Sequence, residues 1–215
     1  MIGVTQGRKF KPSAMRLIDA AERLVADRGI DNVSLQEIAE TAGQSNKFAV
    51  QYHFKSREGL IDAVFEARLP EINRRREAHV ERLRSAGAPS IPDLLRAIFA
   101  PVVEQVDAQG KHHYARFSSQ VRVDPRYRRG WFNSRHLAAV TEVLNMLRAA
   151  TPHLSPADFD LRMYLVIDIF DAGLRMIDNP WTLSEQDVPA VDAEKSIMDT
   201  VIAMSAAGLL DTTAV

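Results

Sequence analysis

Around residue 50 the chain carries a dense set of side chains suited to hydrogen bonding in a groove. From Gln44 it reads QSNKFAVQYHFK. Gln44, Asn46 and Gln51 hold amides that can make paired hydrogen bonds to adenine, and Lys47 can donate to guanine. Ser45 and Tyr52 can grip phosphate oxygens, His53 lies beside them, and Lys55 is placed for a backbone contact. Phe48 is apolar among them. It either packs inward or sits against a thymine methyl, and packing is favoured because apolar residues on short helices usually serve the core. These residue types point to reading a nucleic-acid duplex.

The flanking sequence supplies helices to hold them. A first helix is expected from about Ser13 to Arg28, with Met15, Ile18, Ala21, Leu24 and Val25 on one face and Gly29 as its stop. A second begins at Ser34, where Glu37 three residues on completes a capping box. Leu35, Ile38, Ala39 and Ala42 then form an apolar stripe at helical spacing. Ser34 thereby joins the candidate contacts, since a helix N-terminus attracts phosphate. Gly43 breaks this helix, and a short third one is expected from about Asn46 to Tyr52, fixed by Val50 and Phe54. Two short helices around the turn Ala42-Gly43-Gln44-Ser45 describe a helix-turn-helix. Ser56 can cap a fourth helix anchored by Leu60, Ile61, Val64 and Phe65.

The remainder keeps the helical period, and the fold class is all-α with about nine helices. Pro70 should kink or interrupt the fourth helix, and Arg74, Arg75 and Arg76 read as a solvated face. Ser85 to Pro89 is the best boundary, small and closed by proline. A fifth helix starts after Ser90, capped with Asp93 and bent at Pro101; a sixth covers His112 to Val123. A seventh runs from roughly Gly130 to Ala150, an eighth from Ser155-Pro156 to about Asp178, and a ninth from Ala190 to Ala207, with Gly208 after it. The domains expected are 1–55 (arm and helix-turn-helix), 56–86 (connecting helix) and 87–215 (a larger helical body).

Composition narrows the function classes. With 215 residues, 46% hydrophobic and 26% charged, the chain can bury a core without a metal or disulfide staple. Cysteine is absent, which removes thiolate metal sites and cysteine nucleophiles and suits a cytoplasmic protein. The net charge of -1 does not announce a nucleic-acid binder, but a small head can hold a local positive face, and Arg8, Lys9, Lys11 and Arg16 show that bias. The start MIGVTQGRKFKPSAMR has no apolar run typical of a secretory signal, and no window suggests a membrane span.

From Arg16 to Phe65 the residues resemble the DNA-binding domain of the TetR family of bacterial transcriptional regulators. The likeness rests on the Arg28-Gly29 turn, the SLQEIAETAG block, Tyr52-His53-Phe54, and the Lys-Ser-Arg-Glu-Gly-Leu entry to the fourth helix. One departure stands out. Ser45-Asn46-Lys47-Phe48-Ala49 reads one residue longer than the family's common Ser-Lys-Gly-Thr-like segment, so the alignment of contacts from Asn46 to Gln51 stays open. The resemblance implies a transcriptional regulator, expected to be a ligand-released repressor that binds a palindromic double-stranded DNA operator. It also implies a small-molecule effector held in a helical body and a homodimer through the last two long helices.

For that effector, aromatic and polar content singles out Phe99, Phe117, Trp131, Phe132, Phe170 and Arg175. Asp168 and Asp171, set in an apolar stretch, can receive a ligand cation, pair with Arg175 or face solvent; solvent or an internal pair is favoured. His112 and His113 are adjacent, hence a poor metal pair, and read as surface or outlying polar residues; His136 and His153 lack partners at ligand spacing. No cofactor, metal or catalytic set is expected, and the chain is not read as an enzyme. The rival reading is a helical small-molecule-binding or protein-interaction module that binds no operator.

Overall fold

A computed structural model describes residues 9–127, 138–178 and 190–212. Among these the chain forms nine α-helices and one 3-10 turn, with no strand. The helices are α1 (Pro12–Arg28), α2 (Leu35–Thr41), α3 (Ala49–Phe54), α4 (Arg57–Ala86) and α5 (Ile91–Val103). They continue as α6 (His113–Val123), α7 (Ala138–Ala150), α8 (Pro156–Asp178) and α9 (Ala190–Leu210), while Ile30–Asn32 makes the 3-10 turn. No described helix is long and apolar enough to cross a membrane. Trp131, Phe132, His136, the first residues of the expected seventh helix and the polar loop before the ninth lie outside the described residues.

The helices group into two compact units. The first holds 9–75 and 105–127, so α6 belongs with the N-terminal helices. Its core is Leu17, Ile18, Val25, Ile38, Val50, Leu60 and Val64, all essentially inaccessible. Phe65 packs edge-on to Tyr114 and lies 5.5 Å from Phe117. Charged pairs tie α1 to its neighbours in this unit. Arg68 reaches Glu22 at 2.7 Å and Asp19 at 2.6 Å, and Arg116 reaches Asp27 at 2.7 Å. His112, which precedes α6, and His113, its first residue, are buried rather than at the surface, and His113 Nδ1 sits 2.8 Å from Asp107.

The second unit holds 76–104 and the described residues from 138 onward. Here α9 packs along α8 and against α5, and α5 also meets α7. The capping box at Ser90 and Asp93 forms in both directions, and Asp158 N–H donates to Ser155 Oγ at 3.2 Å. Gly173 explains how closely α8 and α9 lie. A Cβ there would come within 2.6 Å of Val201 Cγ2, so any other residue would have to push that side chain aside.

Three expectations are corrected. α4 runs through Pro70 as one 30-residue helix, so the proline does not interrupt it. Proline supplies no N–H to the ladder, but Ile72 just beyond it is fully buried, and Glu71 holds Arg74 at 2.7 Å and Arg75 at 2.9 Å across the next turn. Arg76 does not share the solvated face of Arg74: it is buried, and its guanidinium donates to the Ile98 carbonyl at 3.0 Å. α9 continues past Gly208 to Leu210, because Leu209 is fully buried and Arg162 donates to the Gly208 carbonyl at 2.7 Å.

Candidate nucleic-acid interface

The site is built on a short rigid turn. Ser34 caps α2, its Oγ accepting the Glu37 N–H at 3.1 Å. The Glu37 carboxylate meets Arg28 at 2.6 Å, and that hydrogen bond holds it below its ordinary range, with the Ser34 backbone N–H adding to the effect. At the other end Gly43 takes φ 66°. Its N–H donates to Glu40 O at 3.0 Å and that of Gln44 to Ala39 O at 2.9 Å. That double bond is a Schellman stop, and it needs the left-handed conformation that glycine adopts without strain.

α3 starts three residues later than the sequence suggested. Asn46 Oδ1 accepts the Phe48 N–H at 2.9 Å and Asn46 O accepts the Ala49 N–H at 3.0 Å, so 46–48 form a side-chain-closed turn before the helix. Ala49, Val50 and Phe54 then face the core. Ser45, Asn46, Lys47, Phe48, Gln51, Tyr52 and Lys55 are exposed, as is Ser34. Gln44 and His53 are half-buried, and the amide nitrogen of Gln44 is covered by protein. Phe48 is 57% exposed and does not pack inward, which corrects the favoured reading; the inner face is already filled by Val50 and Phe54. Tyr52, one turn on, is 73% exposed.

Several side chains position this face. His53 Nε2 lies 3.3 Å from Ser13 Oγ, and Arg16 donates to the Ala42 carbonyl at 3.3 Å, tying α1 to both ends of the turn. Arg57 donates to the carbonyls of Ile30 at 3.1 Å and Val33 at 2.8 Å, pinning the entry to α2. Lys55 ends α3 at φ 71°, and Gly59 follows in the first turn of α4, where any Cβ would fall on the Phe54 carbonyl oxygen. Ser13 was expected only as a helix start, and Arg57 and Gly59 only as part of the Lys-Ser-Arg-Glu-Gly-Leu entry to the fourth helix, without these contacts. Among the described residues no group of three histidine or acidic side chains could hold a metal ion.

A family profile described as "Tetracyclin repressor-like, C-terminal domain" matches residues 96–208, more than half of the chain. A second, "Bacterial regulatory proteins, tetR family", matches residues 17–64, the segment that carries the turn. The chain belongs to the tetR family. No curated protein gives a significant match. Among solved structures it is similar to a tetR family regulator from Shewanella sp. PV-4, at TM-score 0.60 and 16% identity over 90% of this chain and 95% of that one. The ketosteroid regulator KstR2 of Mycobacterium tuberculosis matches at TM-score 0.54 and 18% identity, over 92% and 96% of the two chains. FadR of Bacillus subtilis, solved with stearoyl-CoA, matches at 0.52 and 16% identity, over 88% and 97%. At these identities the likeness is one of fold. The profile over 17–64 and the turn within it make this segment the helix-turn-helix DNA-binding domain of a tetR family regulator.

The residues expected to line an effector site of this tetR family chain fall in different places. Phe99 and Phe170 stack at 4.2 Å in the second unit, with Asp171 buried next to Phe170. Asp168 and Arg175, on the same helix, are exposed. Phe117 is fully buried within the first unit.

Proposed function

We propose that this chain is a ligand-released repressor that binds a palindromic operator as a homodimer in the cytoplasm. The observation that carries the DNA reading is the outer face of α3. It leaves Lys47, Phe48, Gln51, Tyr52 and Lys55 in solvent while Val50 and Phe54 fix the helix from behind. Its amides and Lys47 suit base edges, and Tyr52, Lys55, Ser45 and the capped Ser34 suit the phosphates on either side.

The dimer reading is supported by the outer surface of α8 and α9. Leu161, Tyr164, Leu165 and Met204 are exposed there, and a groove of about 310 Å³ runs between the helices, lined by Leu161, Leu165, Val166, Ile169 and Met204. An apolar surface of this kind is unfavourable in water unless a partner covers it. An effector bound within 87–215 would have to part the stacked, buried Phe99–Phe170 pair or lie beside it. Release requires that the effector bind the operator-free form more tightly, since equal affinity for both forms would shift nothing.

The test is selection of genomic fragments by the full-length chain. A repressor of this kind enriches a site with two symmetric half-sites separated by whole helical turns. Enrichment of nothing above background would favour a module that binds small molecules or proteins without reading DNA.

A further inference from the structure

Phe48 is an anomaly in an otherwise polar surface. It is a large apolar ring, 57% exposed, on a head whose other aromatic anchor, Phe54, is buried. Its position is not loose. Asn46 closes the turn before it by accepting the Phe48 N–H at 2.9 Å, and the Phe48 carbonyl accepts the Tyr52 N–H at 3.0 Å. Lys47 holds its ammonium 5.2 Å from the ring centroid, so an apolar surface and a strong donor are presented side by side.

One base edge matches that pair. In the major groove thymine shows a 5-methyl group next to the O4 acceptor, and no other base combines the two. We infer that Phe48 is a specificity-determining residue whose ring meets the 5-methyl of a thymine in each half-site, with Asn46 as the positioning residue that holds it there. Lys47, beside the ring, donates to O4 of the same base or to the neighbouring phosphate. This rests on the DNA-binding reading above and adds to it which kind of base the turn selects. It also gives the extra residue between Ser45 and Ala49 a purpose: the closed turn at Asn46 sets Phe48 outward, ahead of the first residue of α3.

The experiment takes the duplex selected by the full-length chain and replaces each thymine in turn by uracil, which deletes the methyl and keeps O4. Affinities of wild type, Phe48→Ala, Asn46→Ala and Asn46→Asp are measured by fluorescence anisotropy. At one thymine per half-site, uracil should weaken wild type by about fourfold, the worth of one buried methyl (about 0.8 kcal/mol). Phe48→Ala should bind the thymine and uracil duplexes equally. Asn46→Ala should lose most of the thymine-to-uracil ratio, and Asn46→Asp, which keeps the acceptor, should retain it whatever its overall affinity. The assignment is overturned if no uracil exchange affects wild type, or if the ratio survives in Phe48→Ala. Failure to select any duplex would instead overturn the DNA-binding reading, and this inference with it.

Discussion

Glu22 shows how much of the head's stability hangs on single pairings. It is 7% exposed on α1, and burial pushes its carboxyl above the ordinary value against the pull of Arg68 at 2.7 Å. A raised folded-state value means the group favours folding below its unfolded value and loses that contribution as pH rises through the folded one. At neutral pH the charged form is therefore tolerable only while Arg68 faces it. Arg68→Met should cost about 3 kcal/mol at pH 7, because it strands a buried carboxylate. The loss should shrink at an acidic pH, where Glu22 takes up a proton. Urea unfolding at the two pH values checks this, and an equal loss at both would count against it. The pairing itself could not be read from the sequence, since Glu22 and Arg68 are 46 residues apart and each looks like an ordinary surface charge. The burial of Arg76, His112 and His113 was missed for the same reason: long-range packing decides it, and periodicity is blind to that.

At the scale of elements, what was legible was local. Ser34, Ser90 and Ser155 announce helix starts because a cap is satisfied within three residues, and Gly29 and Gly43 announce stops because their backbones are left-handed. The start of α3 was misplaced because Asn46 spends its side chain on a turn instead of entering the helix. The end of α9 was misplaced because burial of Leu209 outweighs the roughly 1 kcal/mol that Gly208 costs in a helix. Gly173 belongs here too, since its purpose lies on another helix. Gly173→Ala gains about 1 kcal/mol of helix propensity but forces Val201 aside, an overpacking cost of about 1–3 kcal/mol. The single change is thus a poor diagnostic, whereas the double-mutant cycle with Val201→Ala should show a favourable coupling of about 1 kcal/mol. Additive thermal or urea denaturation data would mean that the two helices have no contact to relieve.

The whole molecule joins a DNA-binding head to a larger helical remainder, and the family could be recognised from the sequence because its signature block is contiguous. The grouping of α6 with the N-terminal helices was not legible, because it depends on packing between segments about 90 residues apart, such as Asp27 and Arg116. Dimerisation is a prediction at this scale. Leu161→Glu with Leu165→Glu places charges on the exposed face of α8 and should yield a folded monomer where wild type sediments as a dimer at micromolar concentration. A monomeric wild type would remove the dimer from the account.

The claim on which the rest depends is that α3 and its flanks touch DNA, and the salt dependence of binding tests it most directly. Wild type, Lys47→Ala and Lys55→Ala are titrated onto the selected duplex and onto unrelated duplexes across a range of salt. Each phosphate contact removed should lower the slope of log affinity against log salt by about 1, hence by about 2 for a dimer on two half-sites. A lost phosphate contact should weaken all duplexes alike, whereas a lost base contact should narrow the gap between the selected duplex and the others. If both variants bind as wild type does at every salt concentration, the outer face of α3 is not the DNA-reading surface.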